Sequence, residues 1–214
     1  MNITKVSLLF LLLLLPAFVY LFLVNFGKNN FKKLPRYIPI EFPTEGDTIF
    51  HKIPSFILLN QDSNSFTSES LKGKIYVTNF FFVTCTSICP IMTSEMFRVQ
   101  QAFENDSSVN LLSLTVNPEN DTPSILNSYA VKNRVNSKVW NLLTGPKVYL
   151  YNLAKEGFKM NALEDTANVG EFIHSDKFLL IDKIGVIRGI YNGTEQKDVD
   201  RLITEIKILK KEYE

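Results

Sequence analysis

At 214 residues, with 45% hydrophobic and 21% charged side chains, the chain has the size of one domain plus an accessory segment. Its formal net charge of +1 leaves no electrostatic case for a nucleic-acid partner. Acidic and basic residues are mixed along it, apart from a basic cluster near the N-terminus and a charged last helix, and neither an internal repeat nor a low-complexity tract is visible.

Val6 to Val24 carries no charge and is dominated by Leu, Phe and Val. Its length is close to the roughly 20 residues that cross a bilayer. It exceeds the roughly 7–15 apolar residues of a signal-peptide core, and no small-x-small cleavage site follows. Residues 1–27 therefore read as an uncleaved N-terminal transmembrane helix, with no cysteine near its end to carry a lipid. Only Lys5 precedes the run, whereas Lys28, Lys32, Lys33 and Arg36 follow it, a bias that would place the next domain inside. Residues 28–46, with Pro35, Pro39 and Pro43, read as an extended linker, and residues 47–214 as the main domain.

In that domain Ile53 to Leu59 and Ser65 to Thr67 read as strands across the turn-rich Asn60 to Asn64. His51, at the strand entry, reads as a surface residue more readily than as a ligand. Ile75 to Val83 is an apolar, aromatic strand that runs into Thr84-Cys85-Thr86-Ser87-Ile88-Cys89-Pro90 and the only two cysteines of the chain. Pro90 suits the first helical position, where its missing N–H is no loss, and Met92, Met96, Val99 and Phe103 then share one helix face. That stripe reads as core packing. Cys89 is thereby placed at a helix N-terminus, with Cys85 in the turn before it, where orphan N–H groups and the macrodipole favour a thiolate. A small structural disulfide and two unrelated core thiols are the plain readings of the pair; soft-metal binding or thiol exchange is the functional one.

Val109 to Val116 reads as the next strand, and Thr122 as the N-cap of a helix starting at Pro123 with Leu126, Tyr129 and Ala130 on one face. Val139 to Leu142 is a further strand. Thr144-Gly145-Pro146 opens a third helix that stops at Gly157. Phe158 to Ser175, with Gly170 and His174, has no sustained period and reads as a loop. Lys177 to Asp182 and Val186 to Tyr191 form a hairpin, and Val199, Leu202, Ile203, Ile206 and Leu209 mark a closing amphipathic helix. This order implies a layered α/β domain.

A dicysteine at a strand-to-helix turn, in a domain closed by a hairpin and a helix, looks like a thioredoxin-like fold, with three residues between the cysteines where the usual redox pair has two. The finer pattern resembles the Sco/SenC family of membrane-anchored copper proteins. It is carried by Asn60-Gln61-Asp62, Leu71 to Lys74, Phe80 to Phe82, Cys85 to Pro90, Thr115 to Pro118, Asp121-Thr122-Pro123, Leu143-Thr144-Gly145, His174-Ser175, Leu180-Ile181-Asp182, Gly185 and Arg188-Gly189.

The resemblance implies that Cys85, Cys89 and His174 bind copper. Two thiolates and an imidazole suit Cu(I), hold Cu(II) when a further ligand joins, and would also accept Zn(II). Thr86 stands where the family often has Pro, and Asn117 where it has Asp. The implied function is a metallochaperone that delivers copper to, or maintains the thiols of, the binuclear copper centre of cytochrome c oxidase. Its implied partners are the copper-bearing oxidase subunit, other copper chaperones or thiol reductants, and the membrane. The implied location is the periplasmic side of a bacterial inner membrane or the intermembrane-space side of the mitochondrial one, against the local charge count. The alternative is a membrane-anchored thiol–disulfide oxidoreductase that uses Cys85 and Cys89 catalytically without stoichiometric metal. A peroxide-reducing thiol enzyme has a different cysteine spacing.

Overall fold

The computed structural model describes residues 12, 14–22, 33–44, 46–160 and 175–214. The chain divides into two units, Met1–Lys32 and Lys33–Glu214. In the first, residues 14–22 are helical with exposed side chains, and the rings of Phe18 and Phe22 stack at 6.4 Å. Among the described residues no helix is long and apolar enough to cross a membrane, and the rest of the Val6 to Val24 run lies outside them.

The second unit is organised by three parallel strands, β5 (Ile75–Phe81), β6 (Val109–Thr115) and β7 (Trp140–Thr144), every residue of which is buried. Parallel strands covered on both faces read as continuous apolar runs, which is why these were visible in the sequence. The sheet is extended on one side by β3 (Ile57–Asn60) and β4 (Ser65–Thr67), and on the other by the hairpin β8 (Lys177–Ile181) and β9 (Ile187–Asn192). The order is β4-β3-β7-β6-β5-β8-β9, with β3 antiparallel to β7 and β8 antiparallel to β5. Gly185 closes the β8–β9 turn at φ +85°, a conformation that a residue with a Cβ resists.

Alternation along each strand sorts the core into two layers. Ile75, Val77 and Phe81, with Leu111, Leu142 and Leu180, face helices α1 (Cys89–Phe103), α2 (Pro123–Lys132) and α4 (Gln196–Lys211). Tyr76 and Phe80, with Leu112, Leu114 and Leu143, face the short α3 (Lys147–Asn152) and the wide turn Leu153–Gly157 that prolongs it. The expected stripes are the buried ones: Met92, Met96, Val99 and Phe103 on α1, and Val199, Leu202, Ile206 and Leu209 on α4. Burying a Leu- or Phe-sized side chain contributes about 1.5–3 kcal/mol. A surface pair such as Lys147–Glu119, at 3.1 Å, is worth about 0–1 kcal/mol, so the two apolar layers set the stability.

Three features differ from the sequence reading. From Leu34 onward the stretch read as a linker is fastened to the α/β body and holds a small antiparallel pair, β1 (Pro39–Glu41) with β2 (Ile49–Phe50). Phe158 and Met160, at the head of the expected loop, are fully buried against Phe56 and Phe80. Thr122 takes the N-cap backbone conformation but makes no side-chain capping bond. His51, read as a surface residue, is part-buried and donates from Nε2 to the Gly157 carbonyl at 2.7 Å.

The fastening is made by one cation. Arg188, 2% exposed, pairs with Asp182 at 3.2 Å and Glu212 at 2.6 Å and donates to the carbonyls of Leu34 at 2.8 Å and Pro35 at 3.0 Å. Glu212 in turn accepts the Leu34 N–H at 2.6 Å. Removing one partner of a buried pair strands the other charge, which costs about 3–5 kcal/mol. Arg188→Ala should lower stability by that amount in urea unfolding followed by circular dichroism; a change within about 0.5 kcal/mol, the scale of a neutral surface substitution, would show that the cluster does not hold the strap.

Candidate metal and thiol centre

The chain leaves β5 at Phe81 and reaches α1 at Cys89, so the dithiol segment lies at the C-terminal end of the parallel strands, where α/β sheets leave a crevice. Its path is set by a buried carboxylate. Asp121, fully buried in the loop before α2, accepts the Val83 N–H at 3.1 Å and the Thr115 hydroxyl on the same oxygen. Thr115 Oγ1 accepts the Asn117 N–H at 3.0 Å, and the Asn117 carbonyl accepts the Asp121 N–H at 2.9 Å, which closes the loop on itself. Hydrogen bonds to an ionised acceptor are the strong ones, so this carboxylate ties β5, β6 and the turn together. Asn117 enters through its backbone.

Beyond Val83 the Cys85 N–H donates to the Phe82 carbonyl at 3.2 Å, turning the chain. Cys85 and Cys89 are both free thiols, 9% and 4% exposed. The Cys89 N–H, first of α1 and without an intrahelical acceptor, donates to Cys85 Sγ at 3.4 Å, and the Ser87 hydroxyl lies 3.6 Å from that sulfur. Burial alone would raise the Cys85 pKa. The hydrogen bonds from the Cys89 thiol, the Ser87 hydroxyl and the two backbone N–H groups outweigh it, lowering the thiol to about 7. Cys89 goes the other way: burial, its donation to Cys85 and the negative charges of Cys85 and Asp121 raise it to about 12. The two thiols are thus chemically distinct, one a thiolate near neutral pH and the other a held proton donor.

Tyr129 of α2 closes the buried side. Its hydroxyl bonds Thr93 Oγ1 of α1 at 2.7 Å and its ring sits 5.6 Å from that of Phe81. Burial is the main cause of its raised pKa, followed by the charges of Cys89, Cys85 and Asp121. The structure therefore brings Cys85 and Cys89 together as the sequence suggested, and adds Ser87, Asp121 and Tyr129. The acid-Thr-Pro string at a helix start was the available signal for Asp121; Tyr129 read only as part of a helix face. His174 lies outside the described residues, among which no cluster of three His, Cys, Asp or Glu side chains could hold a metal ion. Two thiols this close can be oxidised to a disulfide, giving up two electrons and two protons, or can both be donated to one soft cation.

Comparison with known proteins decides the family. The SCO1/SenC family model matches residues 46–210. The chain belongs to the SCO1/SenC family. The SCO1 protein homolog of Bacillus subtilis is 30% identical over 163 residues, 75% of this chain and 84% of that protein. Among solved structures, BsSco, described with a disulfide switch and as a member of the Sco family of cytochrome c oxidase assembly proteins, is 30% identical. It covers 78% of this chain and 98% of its own, with a TM-score of 0.64. Copper-bound ScoI of Bradyrhizobium japonicum, at 22% identity, shares the fold with a TM-score of 0.57 over 73% of this chain and 98% of its own. The thioredoxin-like α/β fold is thus that of Sco proteins.

The unequal thiols of this Sco protein give a pH signature. A free cysteine titrates near 8.5; Cys85, lowered to about 7, should react with iodoacetamide along a rate curve whose midpoint lies near pH 7, while Cys89 in the folded protein stays unlabelled well above that pH. Peptide mass spectrometry across a pH series separates the two. A common midpoint near 8.5 would contradict the hydrogen-bond assignment.

Proposed function

We propose that this protein is a copper-binding metallochaperone that delivers copper to, or maintains the thiols of, the binuclear copper centre of cytochrome c oxidase. The observation that carries the reading is the paired free dithiol at the start of α1, with the Cys89 N–H on Cys85 Sγ at 3.4 Å. Two soft sulfur donors on adjoining turns suit Cu(I). Cys85, lowered to about 7, enters binding partly as thiolate at neutral pH, whereas Cys89 must release its proton, so uptake strengthens as pH rises.

His174 is the proposed third ligand. Topology supports it: β8 runs antiparallel to β5, so Lys177, at its start, lies at the end of the sheet where β5 turns toward Cys85, and the neighbouring Ser175 is buried there. The proposed client is the copper-bearing oxidase subunit, in keeping with BsSco as a member of the Sco family of cytochrome c oxidase assembly proteins, with other copper chaperones or thiol reductants as further partners. Residues 1–27 are proposed as a single-pass anchor, on the strength of the charge-free run Val6 to Val24, with the α/β domain on the outer, periplasmic or intermembrane-space, side.

The asymmetry of the thiols favours a second reading, thiol–disulfide exchange without stoichiometric metal. The Cys85 thiolate would attack a client disulfide, releasing one client thiolate. Cys89, once deprotonated, would then attack Cys85 Sγ to release the second and leave Cys85–Cys89 oxidised, two electrons having passed to the client.

Two experiments test these readings. His174→Ala should weaken Cu(I) binding by more than about tenfold in a competition titration while Cys85 and Cys89 still oxidise and re-reduce; unchanged copper affinity would remove His174 from the ligand set. A reporter fused after Gly46 should be active only if it folds outside the cytoplasm. Activity of a cytoplasm-only reporter there would overturn the topology.

A further inference from the structure

We propose that the pole of the α/β domain opposite the dithiol is a lipid-docking surface, which rests against the anionic bilayer and holds Cys85 away from it. The proposal rests on the membrane-anchored reading of residues 1–27.

The first ground is chain length. Nine residues separate Val24 from Leu34, where Glu212 and Arg188 capture the backbone. Nine residues reach at most about 30 Å, so the capture point cannot stand far from the end of the anchor. The second is where that point lies. Tyr76 pairs with Ile181 at the start of β5, and the Arg188–Asp182 pair sits beside it, whereas Cys85 follows the far end of β5. The seven residues of β5 alone separate the two poles by roughly 20 Å.

The third ground is the surface itself. The strap bonds to this pole through Tyr37 N–H to the Ile187 carbonyl, and Ile53 N–H bonds to the Gly185 carbonyl at 2.8 Å, so the β1–β2 pair and the β8–β9 turn lie on one end of the domain. Here Phe42, at 76% exposure, is the most exposed large apolar side chain described in the α/β unit, and Ile40, Ile49 and Ile184 are about half exposed. Isolated exposed apolar residues need no explanation, but four on one pole, next to the only stretch bound for a membrane, do. Lys33 and Arg36 line a cleft of about 520 Å³ on this pole, and Lys52 and Lys183 lie on its strap and turn. Against them stand Glu41 and Asp47, with Asp182 and Glu212 sharing the one Arg188 cation. Apolar side chains flanked by Lys and Arg are the chemistry of an interfacial surface on anionic lipid.

The test uses the full chain in vesicles of phosphatidylcholine and phosphatidylglycerol whose acyl chains carry bromine as a contact quencher. Phe42→Trp places an indole on the proposed surface, and Val148→Trp places one on exposed α3 near the dithiol pole; the native Trp140 is buried and supplies a constant background. The indole added by Phe42→Trp should lose most of its emission on brominated vesicles, while that added by Val148→Trp should not. Equal emission from both in protein that sediments with the vesicles would overturn the docking surface and leave the anchor standing. Failure to sediment with vesicles at all would overturn both.

Discussion

The first amide of α1 has no carbonyl within the helix to bond, and the sulfur of Cys85 occupies that place. This contact, N–H to Sγ at 3.4 Å, is where the fold becomes chemistry. It exists because β5 is buried on both faces and must leave the sheet through a tight turn, and because Pro90, lacking an N–H, starts the helix directly after Cys89. The same contact, with the Cys89 thiol and the Ser87 hydroxyl, helps to lower Cys85, while burial chiefly raises Cys89. Lengthening the turn by a residue would release the sulfur, raise Cys85 toward an ordinary thiol and leave an orphan amide at the helix start.

Around this contact the domain is polarised. At one end the Asp121 carboxylate joins β5 to β6 and aims the dithiol turn; at the other, Arg188 joins β9, the C-terminal residues and the strap that leads from the N-terminal segment. Both are buried polar side chains whose hydrogen-bonding capacity is taken up by backbone as well as by side chains, the arrangement in which such groups are tolerated. Each end is therefore fixed independently of the other, with the apolar layers between them.

Much of this was legible in the sequence, for reasons that differ from element to element. The buried parallel strands announced themselves as unbroken apolar runs, and α1 and α4 as stripes at helical spacing. The β8–β9 hairpin carried Gly185 at its turn. The β1–β2 pair was not legible, because Pro39 and Pro43 read as linker and the partners of this stretch, Ile187, Arg188 and Glu212, lie far along the chain. Phe158 and Met160 were missed because single buried residues in an irregular segment have no period. At the site, the cysteines and their helix-terminal placement were readable, whereas the opposite shifts of their pKa values depend on burial, on their contact with each other and on Ser87 and Asp121, which only the folded chain brings together. His174, outside the described residues, is proposed for the site on family resemblance and on the direction of β8.

The central claim is that Cys85 and Cys89 act as one sulfur ligand pair for copper. X-ray absorption at the copper K-edge, on full-length protein loaded anaerobically with one equivalent of Cu(I), tests it most directly. The account predicts a first shell of two sulfurs and one imidazole nitrogen, with the sulfur signal reduced to one in Cys85→Ser. A shell of nitrogen and oxygen alone, or a two-sulfur shell that survives Cys85→Ser, would contradict it.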